Sequence, residues 1–252
     1  MGVKQNLREG KKSYGMLVKT MRSPVFVNIA KQAGVDYLMY DLEHAELSFQ
    51  TIADLILYGN AIGIESMVRV PEVSKSNVSR ILDIGARGIM IPYVETKEQA
   101  EELVHWACYK PLGNRGYSGG ANTDYVSTNG KFVENMQYAN DNNVIIVQIE
   151  SQKGVDNIEE ILSVEGIDQV TIGTNDLAVS LETYGDKDSP KLIEALDKVL
   201  AACIKYNKGF SCGGTAKIFE RYKDYITMYE GVTDIDIMKA GLKNYINDCQ
   251  SK

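Results

Sequence analysis

The sequence is poor in the residues that mark several classes of protein. Two histidines and four cysteines occur in 252 residues, and no two cysteines have the C-x-x-C spacing of a redox or zinc motif. No apolar run approaches the roughly 20 residues that a membrane helix needs. The N-terminal segment MGVKQNLREGKK lacks the apolar core of a secretory signal. We therefore predict a cytoplasmic protein with reduced thiols that does not bind a membrane.

Basic residues are also too few for a nucleic-acid-binding surface. The chain has 27 Lys and Arg against 34 Asp and Glu, which gives a formal net charge of −7. Such a surface repels a polyanion. A small anionic substrate remains compatible with it, because one arginine or metal ion can reverse the field inside a cleft. We therefore expect a small-molecule partner and no nucleic acid.

What the sequence does contain is a regular alternation of short β-rich runs with helix-length amphipathic segments. Strict alternation predicts parallel strands with right-handed crossovers. Eight such units in about 250 residues favour a closed (β/α)8 TIM barrel, a single α/β domain over residues 1–252. An open doubly wound sheet is the alternative, but no G-x-G-x-x-G follows an early strand. The predicted strands are Tyr14–Val18, Tyr37–Tyr40, Met67–Val70, Gly88–Ile91, Val144–Ile149, Gln169–Ile172, Gly209–Cys212 and Ile226–Tyr229.

Two segments depart from this alternation. Residues 110–143 are rich in Gly, Asn and Tyr, and a loop of this length is expected either to cover a site or to be irregular. Beyond the last strand, residues 233–250 form a predicted helix with apolar side chains at Ile235, Met238 and Leu242. That helix is more apolar than a solvated tail needs to be.

Polar side chains stand at the carboxyl ends of four predicted strands, on the face where barrel enzymes keep their active sites. His44 follows the second strand, Arg69 lies at the end of the third, and Glu150 and Asp176 follow the fifth and sixth. Because these strand ends converge in a barrel, we expect the four side chains to share one site.

The residue types at this face suggest ligands, each with a plainer alternative. Glu150 and Asp176 offer the hard oxygens that Mg²⁺ or Mn²⁺ prefers, or they are solvated loop acids and salt-bridge partners. The segment G-T-N-D-L around Asp176 also predicts a helix start, which offers N–H groups to a substrate carboxylate. Arg69 at an apolar strand end requires an anion, either a substrate or a structural partner such as Asp41 or Glu43.

The remaining candidates are His44 with its neighbour Asp41, a lysine and a cysteine. His44 is the one histidine near a strand end, and Asp41 is placed to hold its imidazole in one tautomer, although a lone histidine is more often structural. Lys19 is the one lysine placed for a Schiff base, but no second cation near it in sequence favours the neutral amine. Cys212 ends the seventh strand without a neighbouring histidine to activate it.

Five stretches, taken together, resemble one enzyme family. They are D-L-E-H-A at 41–45, V-R-V-P at 68–71, L-D-I-G-A-R-G-I-M-I-P-Y-V at 82–94, V-Q-I-E-S-Q-K-G-V-D-N at 147–157 and I-G-T-N-D-L at 172–177. In this order and spacing they are similar to the metal-dependent class II 2-oxo-acid aldolases, the family of 2,4-dihydroxyhept-2-ene-1,7-dioate aldolase and 2-dehydro-3-deoxyglucarate aldolase. The similarity runs from Gly15 to Asn207.

The resemblance implies a lyase that breaks or forms a carbon–carbon bond next to a 2-oxo acid such as pyruvate, through a metal-stabilised enolate. It implies that Glu150 and Asp176 hold a divalent metal, Mg²⁺ or Mn²⁺, and that Arg69 stabilises the enolate oxygen. It also implies that His44, assisted by Asp41, acts as a base through water.

Substrate contacts and an assembly follow from the same resemblance. Gln148 would orient the 2-oxo acid, and the helix start at Thr174 and Asn175 would receive its carboxylate. Members of the family form hexamers from dimers that exchange a C-terminal helix. We therefore expect a homo-hexamer or dimer joined through residues 233–250.

The sequence departs from the family where the pocket wall is expected. G-T-N-D-L replaces the usual G-P-[SA]-D-L, Leu17 stands where a tryptophan is frequent, and Cys212-Gly213-Gly214 follows the seventh strand. A different acceptor is therefore expected. The alternative is a citrate-forming condensation of oxaloacetate with acetyl-CoA, as in the siderophore-pathway citrate synthase relative, which the unusual segment 225–236 favours. A noncatalytic barrel that binds a 2-oxo acid is the second alternative, but a binder has no need for a base and a metal together.

Overall fold

The computed structural model describes residues 2–123, 125, 130–186 and 188–251. Within these residues, eight parallel strands form one sheet in the order β7-β6-β5-β4-β3-β2-β1-β8, which confirms the predicted TIM barrel. The strands are β1 Ser13–Val18, β2 Tyr37–Asp41, β3 Glu65–Arg69, β4 Gly88–Ile91, β5 Val144–Ile149, β6 Gln169–Ile172, β7 Gly209–Cys212 and β8 Met228–Tyr229. The helices are α1 Val3–Arg8, α2 Pro24–Gln32, α3 Phe49–Ile62, α4 Lys75–Asp83, α5 Lys97–Ala107, α6 Phe132–Asn142, α7 Gln152–Asp156, α8 Ile158–Leu162, α9 Thr174–Ser180, α10 Pro190–Lys205, α11 Ala216–Tyr222 and α12 Asp234–Gln250.

The sheet curls round on itself and is nearly closed. Strand β8 pairs with β1 over two residues of each strand. On its other side β8 approaches β7 at the bridge between Phe210 and Ile226, where the Thr227 N–H donates to the Phe210 carbonyl at 2.9 Å. The neighbouring ladder between β6 and β7 extends over four residues of each strand. The seam between β7 and β8 is therefore the narrowest lateral pairing of the barrel.

Side-chain caps start the helices close behind the loops that leave the strands. Ser48, Ser74 and Thr96 each accept the N–H of the residue three positions later, at the starts of α3, α4 and α5. Each of these bonds satisfies a donor that the first helical turn leaves without a partner. Gly63 ends α3 with a φ of 76°, a left-handed conformation that favours glycine. These local signals keep the loops at the carboxyl-terminal end short and well defined.

The inside of the barrel is filled by an apolar cluster that is rich in methionine. Met39, Met67 and Met90 on β2, β3 and β4 are buried there. Unbranched thioether side chains fit irregular space well. Val3 of α1 belongs to the same cluster and closes the amino-terminal end of the barrel. A cavity is therefore left at the carboxyl-terminal end, where barrel enzymes keep their sites.

The expectation for residues 110–143 is wrong, because the segment neither covers the carboxyl-terminal mouth nor lacks regular structure. It contains a 3₁₀ turn at Ala121–Thr123 and the helix α6. It leads from α5 to the start of β5, so it lies at the amino-terminal end, where α6 contacts α1. α6 was missed because the one residue that it buries is the polar Asn140, which leaves no apolar stripe. Residues 124 and 126–129 of the segment lie outside the described residues.

Other differences concern short elements. α1 and α11 span six and seven residues, too few for a helical period to be recognised. The amphipathic segment after β5 forms two short helices, α7 and α8, which meet at Asn157. Strand β8 starts two residues later than predicted. No helix in the described ranges combines the length and apolar character of a membrane span.

Lys4 links α1 to the amino-terminal end of the barrel. Its Nζ donates to the carbonyls of Asn140 and Asn143 at 3.0 and 2.7 Å, and it lies 2.9 Å from Asp168 Oδ2. Burial raises the pKa of Asp168, while the charge of Lys4 acts in the opposite direction. The lysine is therefore the main compensation for a largely buried carboxylate.

Replacing Lys4 by Ala should lower the free energy of unfolding by roughly 3 kcal/mol, because Asp168 then lacks its counter-ion. Replacing Arg8 by Ala on the same helix should change it by less than about 1 kcal/mol, since the Arg8–Asp141 ion pair is exposed. Urea denaturation of both variants measures the difference. Equal losses would show that α1 is held by its apolar contacts alone.

Candidate active site

The carboxyl-terminal ends of the strands surround a cavity of about 290 Å³. Seven of the eight residues named from the sequence line this cavity. They are His44, Arg69, Gln148, Glu150, Thr174, Asn175 and Asp176. The eighth, Asp41, is fully buried and is bonded to Arg69. The strand ends therefore bring all eight together.

Arg69 is a buried cation held at two points. Its Nε and Nη2 donate to Asp41 Oδ1 and Oδ2 at 3.0 and 2.8 Å, the planar fork that suits a carboxylate. The two residues are side by side because Asp41 and Arg69 are paired in the register of β2 and β3. Burial acts to raise the pKa of Asp41, but the hydrogen bonds and charge of Arg69 outweigh it and the pKa is lowered. Both groups therefore stay charged.

The third nitrogen of the guanidinium, Nη1, lies near two further side chains. Nη1 of Arg69 lies 3.5 Å from Gln148 Oε1 and 3.2 Å from Glu43 Oε2. The Gln148 amide in turn donates from Nε2 to Glu150 Oε1 at 2.8 Å. Gln148 therefore links the cation of β3 to the acid that follows β5 and fixes their separation.

His44 stands apart from Asp41, so the predicted Asp41–His44 side-chain pair is wrong. Both oxygens of Asp41 are engaged by Arg69, and Oδ1 also accepts the backbone N–H groups of Glu43 and His44 at 3.0 and 3.2 Å. The imidazole Nε2 instead lies 3.5 Å from Glu43 Oε1, and the His44 side chain is 54% exposed. His44 is therefore a rim residue with Glu43 as its acidic neighbour.

Glu150 is a buried carboxyl group whose hydrogen-bond donors are neutral. Gln148 Nε2 and the Tyr93 N–H donate to its two oxygens, at 2.8 and 3.2 Å. Burial raises the pKa of Glu150 to about 7, and the nearby charges of Asp176 and Glu43 act in the same direction. The site is therefore short of positive charge at this point.

Helix α9 starts at the edge of the cavity and carries Asp176 in its first turn. The residue before α9 is Gly173. A side chain there would collide with Glu150, because its Cβ would lie 2.1 Å from Glu150 Oε1. The N–H groups of a first helical turn have no carbonyl partner within the helix. Two carboxylates, a fixed guanidinium and these N–H groups suit an anionic ligand bound together with a cation.

The two other candidates are not activated nucleophiles. Lys19 Nζ lies 3.6 Å from Asp41 Oδ2 in an ion pair, and no second cation contacts it among the described residues. Burial raises the pKa of the Cys212 thiol to about 12, so the reactive thiolate is not formed near neutral pH.

Residues 15–212 match the HpcH/HpaI aldolase/citrate lyase family. The chain belongs to this family. A 5-keto-4-deoxy-D-glucarate aldolase of Shigella sonnei is 34% identical over 188 residues, 75% of this chain and 72% of the relative. The crystal structure of an HpcH/HpaI aldolase from Desulfitobacterium hafniense has a TM-score of 0.91 and 32% identity, covering 100% of this chain and 98% of that one.

A citrate synthase is also similar in structure. The crystal structure of citrate synthase SbnG has a TM-score of 0.87 over 99% of this chain and 98% of that one, but its identity is 24%. This likeness shows a common fold and no more. The aldolase relatives confirm the predicted aldolase-type carbon–carbon lyase, and they support it better than the citrate-forming alternative.

Sequence reasoning missed a further acid in the cavity of this HpcH/HpaI family member. Glu230 follows β8, accepts hydrogen bonds from Tyr37 Oη at 2.9 Å and from Thr171 Oγ1, and lines the cavity with Ser211. Burial raises the pKa of Glu230, and the hydroxyl donors act against that rise. The signal was present, because Glu230 comes directly after a strand just as Glu150 does. It was overlooked because only the unusual composition of segment 225–236 was considered.

The raised pKa of Glu150 makes the stability of the metal-free protein depend on pH. An unfolded glutamate has a pKa of 4.5 and the folded one a pKa of about 7, so the folded state binds more protons between these values. Stability should therefore fall as the pH rises through this window, by up to about 3 kcal/mol. A Glu150→Gln variant lacks this titration. Urea denaturation of both proteins in EDTA at pH 5 and pH 8 should show the wild type losing stability relative to the variant. Equal slopes in the two proteins would show that Glu150 is already ionised at pH 5.

Proposed function

We propose that the chain is a 2-oxo-acid aldolase that makes and breaks the bond between C3 of pyruvate and an aldehyde carbon. One observation supports this most directly: Asp41 holds Arg69 at two points, and Arg69 lines a cavity that also contains Glu150 and Asp176. When C3 loses a proton, negative charge develops on the keto oxygen. A cation that is already oriented stabilises such charge without reorganisation.

The substrate is oriented by groups on both sides of the cavity. Its keto oxygen faces Arg69, and its carboxylate lies at the start of α9 beside Thr174 and Asn175. Gln148 is bonded to both Arg69 and Glu150 and therefore keeps the two ends of this arrangement at a constant distance.

Glu150 and Asp176 fit a divalent cation such as Mg²⁺ or Mn²⁺. Their four oxygens are hard ligands, and the donors described above for Glu150 are neutral, so a cation would offset the mutual repulsion of the two acids. No group of three or more His, Cys, Asp or Glu in the described part of the chain forms a closed metal cage. Two protein ligands leave positions for water and substrate. When bound, the cation would polarise the keto group.

His44 is the proposed base and acts through a water molecule. Its imidazole lies at the open rim of the cavity, where water reaches it, and its Nε2 is 3.5 Å from Glu43 Oε1. Glu43 therefore takes the place that the sequence suggested for Asp41. Asp41 is a positioning residue that acts through Arg69.

The proposal is tested by two measurements on the same variants: exchange of pyruvate C3 protons in D₂O, and aldol cleavage. Arg69→Lys keeps the charge but loses the planar fork, so both rates should fall together by about 10²- to 10³-fold. His44→Ala should lower both by about 10²- to 10⁴-fold. EDTA, Glu150→Ala and Asp176→Ala should also suppress both. Arg8→Lys, at the opposite end of the barrel, is the matched control.

Three outcomes would contradict parts of this proposal. Cleavage without pyruvate exchange in the wild type would show that pyruvate is not the nucleophile. Activity that is indifferent to EDTA would remove the metal. Formation of citrate from oxaloacetate and acetyl-CoA, in the absence of aldol cleavage, would support the citrate-forming alternative.

We propose a reducing location, the cytoplasm, because all four cysteines are free thiols in the structure. Cys108 and Cys203 are buried and far from the cavity, which suits thiols that serve only as small apolar side chains.

Helix α12 is anchored at its start and exposed along the rest of its length. The Asp234 carboxylate accepts the backbone N–H groups of residues 19–21 at 3.1, 2.8 and 2.8 Å, beside the cavity. Asp234 is the one residue of α12 that is buried in the single chain. Four exposed apolar side chains share one helical face, namely Met238, Leu242, Tyr245 and Ile246. We propose that this face binds a second copy of the chain in a homodimer or hexamer, because a monomer would leave it in water.

Leu242→Asp should shift the protein to a smaller species in sedimentation velocity, because it places a charge in the proposed interface. Lys243→Asp introduces the same residue at the next position, off that face, and should sediment like the wild type. If both variants keep the wild-type mass, α12 does not form the interface.

A further inference from the structure

The floor of the cavity has two chemically different halves. On β2 and β4 the side chains that reach it are Met39 and Met90, which are apolar. On β6, β7 and β8 they are Thr171, Ser211 and Glu230, which we call the polar wall. A barrel interior is ordinarily filled with branched apolar side chains. Burying polar groups at this depth costs free energy unless they are hydrogen-bonded, so their presence in the barrel suggests a function.

Glu230 is the centre of the polar wall and retains the capacity to bind a ligand. Its two oxygens accept hydrogen bonds from Tyr37 Oη and Thr171 Oγ1. A carboxylate has about four acceptor positions, so these two donors leave an acceptor position open. The residue is 8% exposed and lines the cavity beside Ser211, so a ligand there can reach that position.

The order of the strands indicates which part of the substrate meets this wall. This step rests on the proposed aldolase function. There the keto oxygen lies at Arg69 on β3, and the carboxylate lies at α9, which follows β6. The remaining arc of the barrel is formed by β7, β8 and β1. C3 of the 2-oxo acid, and whatever is attached to it, therefore faces Ser211 and Glu230.

We propose that Glu230 is a specificity-determining residue that selects a 2-oxo acid with a hydrogen-bond donor on C3, such as a 3-hydroxy-2-oxo acid. The hydroxyl fills the open acceptor position of the carboxylate. A methyl group of the same size leaves that acceptor buried without a donor. A second carboxylate at C3, as in oxaloacetate, has no hydrogen to donate to Glu230 and gains no such bond.

Three probes test this selection: hydroxypyruvate and 2-oxobutyrate, which are nearly isosteric and carry OH and CH₃ on C3, and the smaller pyruvate, which carries H there. Calorimetry with Mn²⁺ present measures the dissociation constant of each, independently of turnover. The wild type should bind hydroxypyruvate about 10- to 100-fold more tightly than 2-oxobutyrate, the range for a hydrogen bond to a charged group. Oxaloacetate should bind more weakly than hydroxypyruvate.

Variants of Glu230 test whether its carboxylate causes the preference for hydroxypyruvate over 2-oxobutyrate. Glu230→Met, of similar size but apolar, should bring the hydroxypyruvate to 2-oxobutyrate ratio to one or below. Glu230→Gln keeps one acceptor oxygen and should give an intermediate ratio of the two affinities. This variant tests the role of Glu230 if Glu230→Met does not fold. Thr171→Val removes a donor to Glu230 but not the acceptor, so the preference should remain. Glu194→Gln, which removes an exposed acid on α10, controls for net charge.

A wild-type ratio near one would overturn the inference, as would a ratio that is unchanged in folded Glu230→Met. Failure of the aldolase proposal is recognised separately, because it appears as absent exchange of pyruvate C3 protons in D₂O. If exchange is present and the ratio is flat, the function stands and the role of Glu230 is wrong. If exchange is absent and hydroxypyruvate still binds selectively through Glu230, the wall has the proposed specificity in a protein with another reaction.

Discussion

The mouth of this barrel depends on one interaction, in which Nε and Nη2 of the buried Arg69 both donate to Asp41. An isolated charge at that depth would cost many kcal/mol, and the two-point pair with Asp41 offsets that cost. The same carboxylate accepts the N–H groups of Glu43 and His44, so it also sets the path of the loop after β2. The orientation of the cation and the position of the rim histidine are therefore determined by one side chain.

The charges around the mouth are distributed unevenly. Cations lie at the ends of β1 and β3, as Lys19 and Arg69, whereas Glu150, Asp176 and Glu230 follow β5, β6 and β8. An anionic substrate is therefore attracted on one side and repelled on the other unless a cation accompanies it. This imbalance explains physically why an acidic chain can still bind an oxo acid, since the net charge describes the whole surface and not this cavity.

Much of the fold and of the site could be predicted from the sequence, for identifiable reasons. Strands such as β4, β5 and β6 were predicted to the residue because they are short apolar runs bounded by turns. Arg69 and Glu150 were recognised because a charged residue at the end of such a run is rare. α6 could not be recognised in this way, since polar contacts through Asn140 and Lys4 hold it in place.

Which residues belong to the site was easier to predict than which of them contact each other. Asp41 was assigned to His44 because they are three residues apart, but the register of β2 with β3 places Arg69 nearer. Contacts between strands depend on register, which sequence proximity does not reveal. Glu230 directly follows a strand, but its hydroxyl partners Tyr37 and Thr171 come from β2 and β6, so its contacts in the site also depend on register.

The narrow seam between β7 and β8 makes the two sides of the cavity differ in stiffness. Continuous ladders hold the arginine side on β2, β3 and β4. The opposite side is held by the Phe210–Ile226 bridge, and a second cavity of about 260 Å³ adjoins it and shares Ser211 and Glu230 with the first. Local opening is cheapest where few backbone hydrogen bonds must break. Arg69 thus lies on the arc with continuous ladders, whereas Ser211 and Glu230 flank the seam with the fewest backbone hydrogen bonds, so an opening at that seam would leave Arg69 in place.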